Sequence, residues 1–127
     1  VVIEGNALML RELLSNLIDN ALRYTPAGGS VTVRVRIDAQ QAILEVEDTG
    51  PGIAPSERGH VFERFYRILG SSASGSGLGL AIVREIAQQH GAEVDVFSNP
   101  RGFAKKLPGS LFRVTFPPPP PPEEEAD

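Results

Sequence analysis

The chain has 127 residues, a formal net charge of −4 and no cysteine. This length suits one compact domain, and the lack of cysteine excludes disulfides, thiol catalysis and thiolate metal sites. No apolar run approaches the roughly 20 residues that span a bilayer, and no signal peptide is visible. Residues 1–122 contain 12 acidic and 12 basic residues. This balance argues against a nucleic-acid surface, which needs a basic patch.

Hydrophobic periodicity in the first part of the chain predicts a strand, a helix and a hairpin. Residues 1–3 have the composition of a short strand. Asn6 is a candidate N-cap for a helix over residues 7–24, in which apolar residues recur at helical spacing. Residues 30–37 and 42–47 alternate between apolar and polar side chains, which predicts two strands joined as a hairpin.

The second part of the chain predicts helices and strands in a similar mixture. A short helix is expected over residues 56–65 and a longer one over residues 78–90, with Gly91 as its C-terminal stop. Two further strands are expected at residues 93–97 and 111–116. Hairpin strands mixed with helices predict an α+β two-layer sandwich. A Rossmann fold fits poorly because regular strand–helix alternation is missing.

The chain ends in a segment of a different composition. Residues 117–122 are six prolines, and three glutamates and an aspartate follow within residues 123–127. This segment has no apolar content to bury, so residues 117–127 are expected to be a disordered, solvated tail. The folded domain is therefore expected to comprise residues 1–116.

The first helix has a polar face opposite its apolar face, formed by Glu12, Asn16, Asp19, Asn20 and Arg23. A solvated helix surface is the ordinary explanation for such a face. Two asparagines one turn apart are less ordinary, because asparagine is a poor helix former. Two amide oxygens on one face can also hold a hydrated magnesium ion beside phosphates.

Two glycine-rich segments have the composition of ligand-binding loops. Residues 48–52, Asp-Thr-Gly-Pro-Gly, follow a hydrophobic strand and place a carboxylate where it can accept a hydrogen bond from an exocyclic amine. An ordinary turn explains this segment equally well. Residues 75–80, Gly-Ser-Gly-Leu-Gly-Leu, enter the helix over residues 78–90, where free N–H groups favour a phosphate. Alone this is weak evidence, because it matches neither the Walker pattern nor the dinucleotide fingerprint.

A third segment, residues 61–67, lies between the two glycine-rich segments. Phe62 and Phe65 have the spacing to dock a short helix. Arg64 and Arg67 carry guanidinium groups that can clamp phosphate oxygens. Two ordinary surface arginines are the alternative.

Together, these segments resemble the four sequence boxes of bacterial two-component sensor histidine kinases, in the same order. Residues 16–26 resemble the asparagine box, residues 48–53 the first glycine box, residues 62–67 the phenylalanine box and residues 75–83 the second glycine box. The resemblance covers roughly residues 6–116 and is to the ATP-binding catalytic domain of that family. It implies the Bergerat fold, with a mixed, mostly antiparallel sheet and about three helices on one face.

The resemblance also implies roles for individual residues. By position, Asn20 coordinates magnesium with Asn16 assisting, and Asp48 recognises the adenine amine. The further positions implied around the nucleotide are Arg23, Tyr24, Gly50, Gly52, Ile53, Gly75, Gly77, Leu78 and Gly79, under a lid formed by residues 68–76. Arg64 and Arg67 are both candidates for contact with the γ-phosphate.

The implied function is phosphoryl transfer. The domain is expected to bind Mg-ATP and to give the γ-phosphoryl group to a histidine on a separate dimerisation domain, for relay to a response regulator. It is expected to be the cytoplasmic part of a sensor anchored in the inner membrane, without direct contact to membrane or nucleic acid. His60 and His90 lie outside the phosphoacceptor context of the family.

Two other functions are compatible with the same fold. The first is ATP hydrolysis by an ATPase, and Asn16 distinguishes such an enzyme from a kinase. In hydrolysing ATPases of this fold, a glutamate that activates water stands one turn before the magnesium asparagine. Asn16 occupies that place, and an amide is not a general base near neutral pH. A nucleotide-binding or docking module without activity is the other alternative, and an anti-sigma type serine kinase is a smaller one.

Overall fold

The computed structural model describes residues 3–66, 77–99 and 108–119. Its elements in chain order are α1 (Ala7–Tyr24), β1 (Val31–Asp38), β2 (Gln41–Asp48), α2 (Gly79–Gln89), β3 (Glu93–Ser98) and β4 (Ser110–Thr115). The strands form one antiparallel sheet in the order β1-β2-β4-β3. The two helices pack against each other, α1 against β2 and α2 against β3. The α+β two-layer fold predicted from the sequence is therefore confirmed.

Helix α1 begins and ends where its local sequence predicts. The side chain of Asn6 accepts a hydrogen bond from the N–H of Met9 at 3.0 Å, the contact expected of an N-cap. At the other end, the Thr25 hydroxyl donates to the carbonyl oxygen of Ala21 at 2.7 Å, and Pro26 follows. Proline disfavours the helical conformation of the residue before it, so the helix stops there.

The hairpin between β1 and β2 turns over two residues. Ala39 and Gln40 have φ angles of 50° and 68°, and Asp38 pairs with Gln41. Two left-handed residues in a two-residue loop match the right-handed twist of the flanking strands. The observed strands agree with the predicted ranges, residues 30–37 and 42–47, to within one residue at each end.

The hydrophobic core lies between the helices and one face of the sheet. Its fully buried members include Leu17 of α1, Val83 of α2 and Val114 of β4. Burying a side chain of this kind stabilises the fold by about 1.5–3 kcal/mol. The core thus fixes how α1, α2 and the sheet lie relative to one another.

The opposite face of the sheet carries charged side chains. Glu45 accepts a hydrogen bond from Arg113 Nε at 2.8 Å and lies 3.6 Å from Arg36 Nε. A second ion pair joins Arg34 and Glu47. Burial alone raises the pKa of Glu45, but the hydrogen bonds and charges of Arg113 and Arg36 outweigh it, so its pKa is lowered.

Residues 55–65 differ from the expected short helix and form a series of turns. Most backbone hydrogen bonds there join residues three positions apart, for example from His60 N–H to the Glu57 carbonyl at 2.9 Å. Phe65 has a φ of 64°, which no right-handed helix accommodates. Only two α-helices therefore occur in the described ranges, against about three expected.

Several other expectations fall wholly or partly outside the described residues. Ile3 is not in a strand, and residues 1–2 lie outside the description, so the mixed character expected of the sheet is not seen in the described part. Most of the Gly/Ser-rich stretch, the whole of the lid at residues 68–76 and residues 120–127 of the tail also lie outside it. The disordered tail and the boundary at residue 116 stay predictions.

One edge of the sheet gathers the ends of several elements. Asp48, the last residue of β2, pairs with Val31 at the start of β1 and with Ser110 at the start of β4. Ser110 in turn pairs with Ser98, the last residue of β3. This edge brings together segments that are far apart in the chain, and it carries the candidate site.

Candidate functional site

Asp48 is a buried carboxylate at this edge of the sheet. Asp48 is only 2% exposed, and its Oδ1 accepts hydrogen bonds from the N–H groups of Gly50 at 2.9 Å and Ser110 at 3.3 Å. Within the described part of the chain, the second oxygen makes no hydrogen bond. A carboxylate held in this way can accept one further hydrogen bond from a ligand.

Burial also changes the proton affinity of this carboxylate. Removal from water raises the pKa of Asp48, and the two backbone N–H groups lower it by a smaller amount, so that the pKa is raised overall. Such a shift at a group with few partners is typical of binding and catalytic sites.

The segment after Asp48 lies against the C-terminal end of α1. A Cβ on Gly50 would stand 2.5 Å from the carbonyl oxygen of Tyr24, so only glycine fits there. The carbonyl oxygen of Gly50 accepts a hydrogen bond from the N–H of Gly109 at 2.9 Å. Ile53 is buried in the core. The first glycine segment is thereby fixed to α1, to the start of β4 and to the core.

A second close approach joins α1 to the start of α2. The side-chain Nδ2 of Asn16 donates to the carbonyl oxygen of Glu12 at 2.9 Å. A Cβ on Gly79 would stand 3.1 Å from Asn16 Oδ1, so this amide oxygen faces the N-terminus of α2. Leu78 is the N-cap residue of that terminus, and its side chain makes no capping hydrogen bond. Backbone N–H groups at such a terminus attract anions.

The other predicted residues of α1 follow in the next two turns. Asn20 is half-buried one turn after Asn16 and shares its helix face. Arg23 is exposed and Tyr24 is half-buried. The structure therefore brings Asn16 next to Gly79, and Tyr24 next to Gly50, so three of the four sequence segments lie close together.

The phenylalanine segment is anchored in the core at one end. Phe62 is buried and meets Phe112 edge to face, with ring centroids 6.0 Å apart. Phe65 is 69% exposed, but its N–H donates to the carbonyl oxygen of Gly77 at 2.8 Å. This bond joins the two sides of the segment between residues 66 and 77, which is where the lid is expected.

Of the two arginines proposed to contact the γ-phosphate, Arg64 lies within the described residues and Arg67 does not. The Arg64 side chain is 72% exposed and lies 3.9 Å from the Glu85 carboxylate of α2. Arg67 lies outside the described residues, as do Gly75 and residues 68–76. Arg64 therefore lies beside α2, and contact of either arginine with the γ-phosphate stays a prediction.

The site also contains residues that the sequence did not single out. Asn99 is buried, and its side-chain N–H donates to the carbonyl oxygen of Asp48 at 2.9 Å. Arg58 donates to the Ile53 carbonyl at 3.1 Å and to the Ser98 hydroxyl at 2.9 Å. In the sequence, Asn99 precedes a proline and resembles any turn residue. Its contact with Asp48 spans 51 positions, so no local pattern indicates it.

The donor set around α1 is compatible with magnesium. No cluster of three or more histidines, cysteines or carboxylates that would suit a metal occurs among the described residues. Asn16 and Asn20 instead offer neutral amide oxygens, and magnesium prefers oxygen ligands while keeping several of its waters. The orientation of Asn16 Oδ1 away from its own helix backbone fits such a role.

A family comparison agrees with this geometry. The family described as "Histidine kinase-, DNA gyrase B-, and HSP90-like ATPase" matches residues 5–120. The chain belongs to this family. The expected resemblance to the catalytic domain of sensor histidine kinases is thereby confirmed, because relatives that match most of this chain are sensor kinases by name.

Two of these relatives show how similar this chain is in sequence to named sensor kinases. The sensor protein kinase PmrB of Pseudomonas aeruginosa is 45% identical over 115 residues, which are 90% of this chain and 23% of the relative. The signal transduction histidine-protein kinase/phosphatase MprB of Mycobacterium avium is 45% identical over 115 residues, 89% of this chain and 22% of the relative. The chain thus spans less than a quarter of either relative.

Solved structures show the same fold. The mycobacterial sensor histidine kinase MprB superposes with a TM-score of 0.83 at 40% identity, covering 93% of this chain and 78% of that one. Full-length ShkA in complex with AMPPNP gives a TM-score of 0.70 at 33% identity, covering 86% of this chain and 21% of that one.

Neither α1 nor α2 combines the length and the apolarity that a membrane crossing needs.

Proposed function

We propose that this chain is the ATP-binding and phosphoryl-donating part of a protein-histidine kinase. In this proposal it binds Mg-ATP and presents the γ-phosphoryl group to a histidine on a separate dimerisation domain, for relay to a response regulator. The observation that carries the proposal is the arrangement around Asp48 and Asn16. A buried carboxylate with an open oxygen and an amide facing a helix N-terminus lie in a domain of the histidine-kinase family.

Asp48 is the proposed partner of the adenine amine. Its Oδ1 is taken up by two backbone N–H groups, so Oδ2 is the oxygen available to a ligand. An exocyclic amine donates a hydrogen bond, whereas the carbonyl oxygen at the same place on guanine does not. The proposed site therefore distinguishes ATP from GTP.

Asn16, Asn20 and the N-terminus of α2 are proposed to hold the metal and the phosphates. The asparagine amides supply ligand oxygens, and the backbone N–H groups at the start of α2 supply hydrogen bonds to phosphate oxygens. Arg23 is exposed at the C-terminal end of the same helix face. A bound magnesium ion neutralises charge on the phosphate oxygens in phosphoryl transfer.

Transfer is favoured over hydrolysis because the site has no base for water at the decisive position. Asn16 carries an amide, and its nitrogen is already bonded to the Glu12 carbonyl. An amide does not accept a proton near neutral pH. Phosphoryl transfer to an imidazole relies on positioning and charge neutralisation more than on a protein base.

Neither histidine of this chain is placed as the acceptor. His90 Nε2 accepts the N–H of Asn6 at 3.0 Å, which leaves the proton on Nδ1 for its bond to the Ile86 carbonyl at 2.8 Å. His90 therefore lies beside the N-cap of α1, and both of its ring nitrogens are occupied. His60 Nδ1 lies 2.9 Å from Glu63 Oε1, and its ring stacks on Tyr66. The acceptor is accordingly proposed to be on another domain.

The proposal extends to the setting of the domain. We propose that it is the cytoplasmic part of a sensor anchored in the inner membrane, with the dimerisation domain of the same kinase and a response regulator as partners. The formal charge balance of residues 1–122 gives no support to a nucleic-acid partner.

The test is a labelling experiment with γ-labelled ATP. The chain alone is expected to bind ATP without becoming labelled or releasing phosphate appreciably. With the dimerisation domain supplied in trans, that domain is expected to acquire an acid-labile label, slowly because the covalent link is missing. Rapid phosphate release by the chain alone would instead establish an ATPase. Acid-stable label on this chain would establish serine-kinase or unrelated chemistry.

A further inference from the structure

Asn99 has a buried side-chain amide and lies at the end of β3. It is not among the residues proposed to hold the metal or the phosphates. It is 6% exposed, and its backbone N–H donates to the carbonyl oxygen of Gly109 at 3.3 Å. Its side-chain Nδ2 donates to the backbone carbonyl oxygen of Asp48 at 2.9 Å. The sheet order places β4 between β3 and β2, so this side chain reaches across one strand.

Gly109, immediately before β4, leaves the space for this bridge. A Cβ at Gly109 would stand 2.3 Å from the carbonyl oxygen of Asp48 and 2.7 Å from the Cβ of Asn99. Any side chain there would therefore separate the two groups. The bridge joins β3 directly to the end of β2, at the residue whose carboxylate faces the proposed adenine pocket.

Asp48 is consequently fixed through both its backbone and its side chain. The Gly50 and Ser110 N–H groups hold Oδ1, and Asn99 holds the main-chain carbonyl. The direction of Oδ2 depends on where the backbone of Asp48 lies, and small displacements of a recognising group weaken its hydrogen bond steeply. A donor that fixes the Asp48 carbonyl therefore acts on whatever Oδ2 binds.

We propose that Asn99 is a positioning residue for adenine recognition, acting through Asp48 without touching the nucleotide. The inference rests on the proposed function, in which Asp48 binds the adenine amine. A purely structural role, in which Asn99 only closes the corner between β3 and β4, makes a different prediction. Loss of a structural residue weakens binding of every ligand, whereas loss of a positioning residue weakens binding of the base alone.

The experiment measures the affinity of the chain for Mg-ATP, Mg-GTP and inorganic triphosphate by calorimetry. Asn99→Ala is expected to weaken ATP binding by about three- to tenfold, the effect of losing one hydrogen bond. Triphosphate affinity should change by less than about twofold, because the phosphates are bound elsewhere. The preference for ATP over GTP should fall. In Asn99→Asp this preference should fall further, since the substitution sets a carboxylate oxygen against the Asp48 carbonyl.

Two further variants complete the design. Asn6→Ala removes an asparagine hydrogen bond at the far end of α1 and should cost stability without changing the preference for ATP. In an Asp48→Asn background, Asn99→Ala should cause no further loss of ATP affinity, because both changes act on the same contact. If Asn99→Ala does not fold, Asn99→Ser, which keeps a small polar side chain too short for the bridge, takes its place.

The possible failures are distinguishable. Equal loss of ATP and triphosphate affinity, or additive losses in the double variant, would overturn the positioning role while leaving Asp48 as the adenine residue. An unaltered ATP preference in Asn99→Ala and Asn99→Asp would do the same. A wild-type chain that binds ATP and GTP equally would instead overturn the proposed function itself.

Discussion

Asn16 Oδ1 and Gly79 approach so closely that a Cβ on the glycine would stand 3.1 Å from the amide oxygen. The contact joins two segments whose roles the sequence assigned separately, an asparagine on a helix face and a glycine-rich helix start. It places the amide oxygen beside the N-terminus of α2, so that the proposed metal ligand and the proposed phosphate-binding terminus adjoin. The small size of Gly79 is therefore part of the geometry of the proposed site.

Gly79→Ala is expected to separate stability from function. Alanine is a better helix former than glycine, so the free energy of unfolding should change by no more than about 1 kcal/mol. The added methyl group displaces Asn16, and the affinity for Mg-ATP should fall by about tenfold, as for residues that orient a metal ligand. Calorimetry and urea unfolding measure the two effects. Gly59→Ala is the matched control, since nothing lies within 4 Å of a Cβ there. Unchanged Mg-ATP affinity in Gly79→Ala would show that the contact has no part in binding.

Asn20→Ala should remove the magnesium dependence of ATP binding. Asn20 is proposed to ligate the metal and not the base, so affinity measured without magnesium should remain close to that of the wild type. The rise in affinity on titrating magnesium should disappear. The fold should not suffer, because alanine is favoured over asparagine within a helix. Ser15→Ala, at an exposed neighbouring position of α1, is the control. Identical magnesium titrations for Asn20→Ala and the wild type would show that the asparagine face is only a solvated helix surface.

Glu45→Gln should change how stability depends on pH. The pKa of Glu45 is lowered in the folded state from its ordinary value of 4.5. Its contribution to stability is therefore present above that ordinary value and lost as the pH falls through the lower folded-state pKa. At neutral pH the variant should lose about 1 kcal/mol, since the partner arginines are partly exposed. Urea unfolding at several pH values should show the gap between wild type and variant closing in acid. Glu93→Gln, exposed on β3, should leave the profile unchanged.

Local chemistry explains which parts of the fold the sequence predicted. The cap at Asn6 and the stop at Gly91 depend on residues close in the chain, and both appear as expected. The turns over residues 55–65 were missed because their apolar spacing resembles a helix, while the left-handed Phe65 follows from its tertiary contact with Gly77. Asn99 could not be identified from the sequence, because its contact with Asp48 forms only once β3, β4 and β2 are paired.

Asp48→Asn is expected to weaken ATP binding while leaving the fold as stable as before or more so. The variant keeps an acceptor oxygen for the N–H groups of Gly50 and Ser110, and turns its amide nitrogen toward the ligand. A donor then meets the adenine amine, and losing a hydrogen bond to a charged group costs roughly 1.5–3 kcal/mol, about tenfold or more in affinity.

The pH dependence of Asp48 gives this prediction its sign. Burial raises the pKa of Asp48 above its ordinary value of 3.8, so the stability linked to this group is fully present below that value and lost as the pH rises through the folded-state pKa. At neutral pH the charged carboxylate is therefore a cost to the fold, which asparagine removes. Wild-type ATP affinity should fall in acid through the raised pKa, whereas the affinity of Asp48→Asn should not. Calorimetry from neutral to acid pH measures both, with Asp38→Asn, on a side chain 70% exposed at the end of β1, as the control. Equal ATP affinity for Asp48→Asn and the wild type at neutral pH would remove Asp48 from the adenine site.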